Sequence, residues 1–346
     1  MNANILKKSQ IILFITFSLF LVSCNKGCYG NKLDVNVESI PVQLNYARFD
    51  LELIQCKNSA DIDHLRLKYP VFYNDYVFKV MRFAPVENDS FCTAKMLDLA
   101  ANVDFRNLFD STQKVFQDDA IFRAGLTDAM KHFKYYFTND SVPQFITFNS
   151  FFMYQNIVGD DYIGIGLDMY LGKDYVYYTD SRLDFPRYLI EKFNKNFLIR
   201  NTLKYFIEQH FEIVPSNIFI ERAVQQGKIY FLLDALCPEM PDSIKIQYSL
   251  DQLNWMKLVE KEMWVDFVNR KVLFSKSAFD NDKYFTDGPF TNAPSVSRDS
   301  PPRVGEWLGW QIVKKYMDTH SNVTVKQLMD EKDLMKIYKD SGYRPK

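Results

Sequence analysis

The sequence predicts an α+β fold dominated by helices, with a small antiparallel or mixed sheet packed against a helical core. Three observations predict it. Long stretches repeat their apolar residues at helical spacing, above all 217–236, where Ile220, Ala223, Val224, Gly227 and Phe231 form one stripe. Period-two alternation is confined to short runs in the first half of the chain. Only 12 glycines and 13 prolines in 346 residues argue against a turn-rich all-β architecture or disorder.

Taken from the start, residues 1–23 read as a lipoprotein signal peptide. Lys7 and Lys8 supply its positive end, and Ile11 to Val22 form an apolar run too short to span a bilayer as a stable helix. The run ends in Leu21-Val22-Ser23-Cys24, a lipobox pattern in which cleavage before the cysteine leaves Cys24 to be acylated. At about 0.8 kcal/mol per buried methylene, two or three acyl chains hold such a protein on a membrane. Residues 24–40 would then be a lipidated tether and first strand, 41–338 a single α+β globular domain, and 339–346 a polar tail. Asn25, Lys26 and Gly27 carry none of the acidic cluster common behind the cysteine of surface-exported lipoproteins. That favours a lipid-anchored protein facing the periplasm, on either the inner or the outer membrane.

Leu33, Val35 and Val37 alternate with polar neighbours, and Val42, Leu44 and Tyr46 repeat the pattern after Pro41, so both are strand candidates. From Ala60 to Gln117 the spacing is helical, broken at Pro70 and again around 85–89. Asp118 to Phe137 is an amphipathic helix with Ile121, Leu126, Met130 and Phe133 inward. Phe145 to Phe148 is a strand, and 154–158 with 162–168 flank the turn Gly159-Asp160-Asp161 as a hairpin. Within its second arm Ile163, Ile165 and Leu167 share one face, while Gly164 and Gly166 leave the other open to a second backbone. A tyrosine-rich loop (Tyr175, Tyr177, Tyr178) leads to helices at 187–193, 197–210 and 217–236, the last with Ser216 or Asn217 as N-cap. Ser249 and Gln252 form a capping box for a helix running towards Phe267. After a loop over 275–299, Pro301-Pro302 opens a helix from Arg303 to Asp318, and Val323 to Tyr338 is the last helix.

Composition narrows the function. The 42 basic and 43 acidic residues nearly cancel, so nucleic acid is not an expected partner. Besides Cys24 there are Cys28, Cys56, Cys92 and Cys237, enough for two disulfides in an oxidising compartment, although buried free thiols are the commoner state. His64, His132, His210 and His320 lie far apart, with none four residues from another, and a zinc site needs at least three converging ligands. His210 and His320 fall at helix ends, where the helix dipole favours them. No Gly-x-Ser-x-Gly elbow is present. The acid pairs Asp160/Asp161, Glu260/Glu262 and Asp280/Asp282 are better read as solvated turns and helix faces than as glycosidase carboxylates.

A few residues ask for more than a solvated surface. Asp234 falls beside the apolar stripe of the 217–236 helix, and a buried carboxylate needs a partner, for which Arg303 is the candidate. Gln226 sits on the flank of the same stripe between Phe219 and Tyr230 and should be half-buried. Gly305 and Gly309 share a helix face with Ile312 and Tyr316, a spacing that permits close helix packing. The tyrosines from Tyr162 to Tyr188 pack as core aromatics by default, or stack on sugar rings.

Several of these stretches together resemble the gliding-motility-associated lipoprotein family GldB of the Bacteroidota. They are Ala47-Arg48-Phe49-Asp50, Gly166-Leu167-Asp168-Met169-Tyr170-Leu171-Gly172, Gln226-Gly227-Lys228-Ile229-Tyr230, Trp255, Trp264 and Asp287-Gly288-Pro289-Phe290-Thr291. The longest runs from Ser300 through Arg303, Glu306 and Trp307 to Val313, and the resemblance extends from the lipobox to about Met317. It implies an envelope lipoprotein associated with gliding machinery, with distant similarity to zincin-type peptidases. In those enzymes a Glu-Gly pair gives the third zinc ligand; here the pair is Gln226-Gly227, and the preceding helix carries no His-Glu-x-x-His. The implied fold is therefore zincin-like and metal-free, and no catalytic residue carries over.

The leading expectation is a non-enzymatic structural or assembly component of a cell-envelope complex. Its membrane contact would run through acylated Cys24, and its other partners would be envelope or gliding-machinery proteins. Its working surface would be a groove between the hairpin, the 217–236 helix and the Gly305–Gly309 helix, built by Asp168, Tyr170, Gln226, Lys228, Asp234, Arg303, Glu306 and Trp307, with no cofactor. The alternatives are a peptidase-like hydrolase with an unrecognised site and a glycan- or peptide-binding lipoprotein.

Overall fold

The computed structural model describes residues 32–83, 89–293 and 295–345; the lipobox, Cys24 and Cys28 lie outside them. The first half of the described chain is a strand followed by short helices: β1 (Tyr46–Arg48), α1 (Phe49–Gln55), α2 (Ser59–Lys68), α3 (Pro70–Asp75), α4 (Asp89–Ala101), α5 (Val103–Phe116) and α6 (Ala120–Tyr136). Pro70 separates α2 from α3 as its missing N–H requires, and Asn58 and Asp61 close a capping box at the start of α2. The sheet is completed by β2 (Gln144–Phe148), β3 (Asn156–Val158) and β4 (Tyr162–Gly166). The helices that follow are α7 (Arg187–Ile190), α8 (Leu198–His210), α9 (Phe219–Leu236), α10 (Asp242–Ile246), α11 (Leu250–Asn269), α12 (Ala278–Asp282), α13 (Val304–Thr319), α14 (Val325–Asp330) and α15 (Leu334–Ser341).

The sheet is mixed, in the order β1-β2-β4-β3, with β1, β2 and β4 parallel and β3 antiparallel to β4. Alternation along the strands splits the apolar core between its two faces. Ile146, Phe148 and Tyr162 join a cluster with Phe49, Phe72 and Tyr76 of the early helices. Phe145, Ile163 and Ile165 face the larger cluster built by α6, α8, α9 and α13. Gly164 and Gly166 are required: a Cβ at Gly166 would collide with the Tyr154 carbonyl of the opposite hairpin arm, and one at Gly164 with the Ile157 side chain.

Helix α9 is the centre of the larger cluster, buried on every side from Gly227 to Leu236 rather than along one stripe. It crosses α13 at glycines on both helices. A Cβ at Gly309 would overlap the Ala223 carbonyl, and one at Gly227 the Gly309 carbonyl, so the two backbones touch. The glycine spacing therefore serves close helix packing, as the sequence suggests.

Several expectations need correction. The run at Leu33–Val37 is not a strand: Leu33 and Val37 are buried, but helix α6 serves this segment, with Tyr136 Oη donating to Lys32 O and Lys131 Nζ to Glu38 O. Of Val42, Leu44 and Tyr46, only Tyr46 enters the ladder. In α6 the buried face runs through Phe122, Leu126, Ala129 and Met130, and Ile121 is 83% exposed. Helix α7 is a single turn. Neither Ser216 nor Asn217 caps α9; Ile218 holds the N-cap position, and Ser216 Oγ accepts from Ile218 N while donating to Glu221. The last helix is two, because Glu331 ends α14 in an extended conformation and the Asp333 side chain caps α15. Within the segment expected as a polar tail, α15 continues to Ser341, and buried Tyr343 packs edge-on against Trp264 and donates to Glu260.

Candidate functional site

The polar side chains drawn together by this fold form a buried chain from the sheet to the start of α13. Tyr170, just beyond β4, donates to Asn156 Oδ1 of β3 and accepts from Asn201 Nδ2 of α8, both at 3.2 Å. Arg200 beside it donates to Asn201 Oδ1 at 3.1 Å, to the Lys245 carbonyl at 2.6 Å and to the Tyr230 hydroxyl of α9 at 3.1 Å. Tyr230 in turn donates to Glu306 Oε2 of α13 at 2.5 Å. Arg303 completes the chain with bonds to Glu306 at 2.9 Å, Tyr230 Oη at 3.1 Å and the Ile246 carbonyl at 2.6 Å, and its Nε lies 3.3 Å from Asp287. Lys192 closes the outer end on Asp287 at 2.6 Å.

Electrostatics hold these charges in place. Burial pushes the Glu306 carboxyl up, but Lys204, Arg303 and the Tyr230 hydroxyl outweigh it and leave it below its ordinary value. Asp287 is likewise lowered, by Arg303 and Lys192 against the cost of burial. Burial and then the nearby Arg303 charge push Lys192 down to about 8. Arg303 occupies the left-handed region at φ 59° as the N-cap of α13, a strained conformation for a side chain of its size. Its three-way anchoring holds that conformation.

The eight residues expected to line a groove therefore separate, and α9 and α13 meet backbone to backbone at Ala223, Gly227 and Gly309. Tyr170, Arg303 and Glu306 share the polar chain. Asp234 is not Arg303's partner: it pairs with Lys245 at 2.9 Å, accepts from Trp310 Nε1 at 2.8 Å and lies 3.7 Å from Lys314, on a cleft of 770 Å³. Trp307 is buried, stacks on Tyr248 and donates to Glu260. Lys228 points away from all of these and donates to the Met329 and Glu331 carbonyls, capping α14. Gln226 is half-buried as expected, and its enclosed Oε1 has no hydrogen-bond partner among the described residues.

Asp168 organises a different place. Its Oδ2 accepts from the backbone N–H of Ser150 and of Phe152, both at 2.8 Å, and Ser150 Oγ accepts from Met153 and Tyr154. These bonds hold Phe151 at φ 55° and Phe152 at φ 67°, two consecutive bulky residues in the left-handed region. Complete burial raises the Asp168 carboxyl to about 6, with the Phe152 and Ser150 N–H groups opposing the shift. Phe151 and Phe152, with Tyr175 and Tyr177, wall a cleft of 450 Å³.

Sequence reasoning missed Arg200, Asn201, Lys245 and the 149–152 loop. For α8 a signal existed: Arg200 stands on the stripe of Leu203 and Ile207, where an apolar residue is expected. No comparable signal marks Phe151 and Phe152.

Other expected features can be placed. Cys56, Cys92 and Cys237 are free thiols. His320 caps α13, with Nδ1 3.0 Å from Tyr316 O, whereas His210 pairs with Asp140 at 2.8 Å. No group of three or more His, Cys, Asp or Glu among the described residues is placed to hold a metal ion. No helix of the described residues is long and apolar enough to cross a membrane.

Comparison with curated proteins and with solved structures returned no match. One family model, described as gliding motility protein GldB, matches residues 30–345, a span that holds the whole polar chain and the aromatic cleft. The chain belongs to the gliding motility protein GldB family.

Proposed function

We propose that this family member is a lipid-anchored, periplasm-facing component of a cell-envelope assembly, and that it acts by holding a shape rather than by catalysis. The supporting observation is how its most distinctive polar residues are engaged. Tyr170, Arg303 and Glu306 are each at most 5% exposed, and their polar groups bond to Asn156, Asn201, Tyr230, Ile246 and one another. Side chains so engaged fix the sheet, α8, α9 and α13 relative to one another. A catalytic acid or base must instead reach a substrate atom directly or through one water.

The test has two parts. Metabolic labelling with an alkynyl fatty acid and membrane fractionation compare the wild type with Cys24→Ser: the wild type should carry label and sediment with membranes, and the variant should do neither. The purified full chain in detergent is then incubated with casein and a mixed peptide library, with no cleavage expected. Cleavage that disappears in Glu306→Gln or Asp168→Asn would replace this reading with a hydrolase. An unlabelled wild type would remove the anchor.

A further inference from the structure

The tyrosines from 162 to 178 divide into two groups. Tyr162, Tyr170 and Tyr178 are core residues at 2% exposure or less. Tyr175 and Tyr177 instead line the 450 Å³ cleft with Phe151 and the largely buried Phe152, a volume within the range of small-molecule sites. Tyr177 keeps 49% of its surface in water. It lies nearly parallel to Phe152, at 24° and 6.4 Å, and Tyr175 is tilted against both. The result is a broad aromatic wall in which about half of the Tyr177 surface stays in water.

This wall is built to keep its shape. Backbone strain of about 1–3 kcal/mol per residue persists only where the surroundings over-determine it, and here Phe151 and Phe152 both carry it. The Asp168 carboxylate, wholly buried, supplies the bonds that hold them, and Phe152 rests edge-on against Tyr178, whose hydroxyl donates to the Asp168 carbonyl at 2.6 Å. A ligand meeting preset rings loses little free energy to ordering them.

The rim chooses among ligands. Asp104 and Asn107 project from α5, and Arg182 pairs with Asp180 through Nε at 3.0 Å and Nη2 at 2.7 Å. A carboxylate, a carboxamide and a guanidinium beside aromatic faces suit a ligand with hydroxyls at its edges and an apolar C–H face. The Asp180–Arg182 pair cancels its own charge, so no cationic surface invites a polyanion. An extended peptide would seek an open sheet edge, but this cleft is walled by α5, by residues 151–152 and by residues 175–183, which include a 3-10 turn at Val176–Thr179, with no strand among its lining residues.

We infer that the cleft is a carbohydrate site for a neutral oligosaccharide, with a sugar ring stacked on Tyr177 and its hydroxyls bound by Asp104, Asn107 and Arg182. This goes beyond the assembly role and is tested separately, because Tyr177 takes no part in the anchor or the buried polar chain.

The experiment is calorimetric titration of the full chain in detergent with cellotetraose, chitotetraose, maltotetraose and mannotetraose, and with a proline-rich decapeptide as the rival class. At least one tetraose should bind with Kd of about 1 mM or tighter. Tyr177→Ala, at a surface ring whose loss leaves the core intact, should weaken it about tenfold or more. Tyr135→Ala, equally exposed at 47% but on α6, should leave it unchanged. Asp168→Ala, which removes the acceptor of both the Ser150 and the Phe152 N–H, should weaken binding without touching the ring. No binding by any tetraose, binding indifferent to Tyr177→Ala, or peptide binding that depends on Tyr177 in place of sugar overturns the inference.

Discussion

Replacing Gly309 by alanine should damage this protein more than any other single added methyl group on α13. The new Cβ would lie on top of the Ala223 carbonyl and only 3.0 Å from Ala223 Cα, and both are backbone atoms of α9 that no rotamer change can move. Relief requires the two helix axes to part by about 1 Å or more. A gap of that size forfeits about a quarter to a half of each dispersion contact of 0.1–0.2 kcal/mol. Over on the order of fifty atom pairs at the crossing the loss is about 3 kcal/mol, within the range for overpacked cores. Gly305→Ala is the internal control. Its Cβ would meet the Phe285 ring at 2.7 Å and Tyr284 O at 3.0 Å, and the closer obstacle is a half-buried side chain rather than backbone. That change should cost less than about 1.5 kcal/mol. Urea unfolding of the detergent-solubilised chain, followed by tryptophan fluorescence, measures both. If Gly309→Ala falls within about 0.5 kcal/mol of the wild type, or costs no more than Gly305→Ala, the backbone-on-backbone crossing is wrong.

Other outcomes follow from the charged groups. Arg303→Ala strands Glu306 in the core and should cost about 3–5 kcal/mol, most of it recovered when Glu306→Gln is added; additive effects in that double-mutant cycle would refute the pairing. Asp168 has a folded-state value near 6 against 3.8 for the free group, so between those pH values the native state holds the extra proton and stability falls as pH rises. The contribution lost between pH 4 and 7.5 is about 2.4 kcal/mol, and the stability gap between wild type and Asp168→Asn should change by that amount, whereas parallel pH profiles would count against a buried carboxyl. Lys228→Met should cost about 1–3 kcal/mol by leaving the Met329 and Glu331 carbonyls without their donor, and protease nicking near residue 331 should rise with it. An unchanged cleavage pattern would argue that the cap does not hold α14.

What the sequence revealed was local. The Gly159-Asp160-Asp161 turn, the Ser249–Gln252 capping box and the break at Pro70 depend on neighbours a few residues apart, and each appears where it was expected. The same locality explains the failures. Val323–Tyr338 keeps a helical pattern, yet Lys228, about a hundred residues earlier, takes the carbonyls at the break. Leu33–Val37 alternates like a strand, but its neighbours are side chains of α6 rather than another strand. The candidate residues were chosen for unusual chemistry, and most are buried as that implies, but their partners could not be read. Asp234 takes Lys245, eleven positions along the chain, while Arg303 takes Ile246 O and Glu306. The aromatic cleft was only half visible, because its tyrosines stand out in composition and its strained phenylalanines do not.

Lys32, at the head of the described chain, has a mechanical consequence. Its ammonium group donates to the carbonyls of Met317, His320 and Val323 at 3.1, 2.6 and 3.0 Å, gripping the end of α13. Tension arriving along the chain ahead of Lys32 therefore reaches the C-terminus of α13 before it can peel Leu33 or Val37 from the surface. From there the load passes in shear to α9 across the glycine contact, where backbone lies directly on backbone. Such a path spares the thin sheet and the preset aromatic wall.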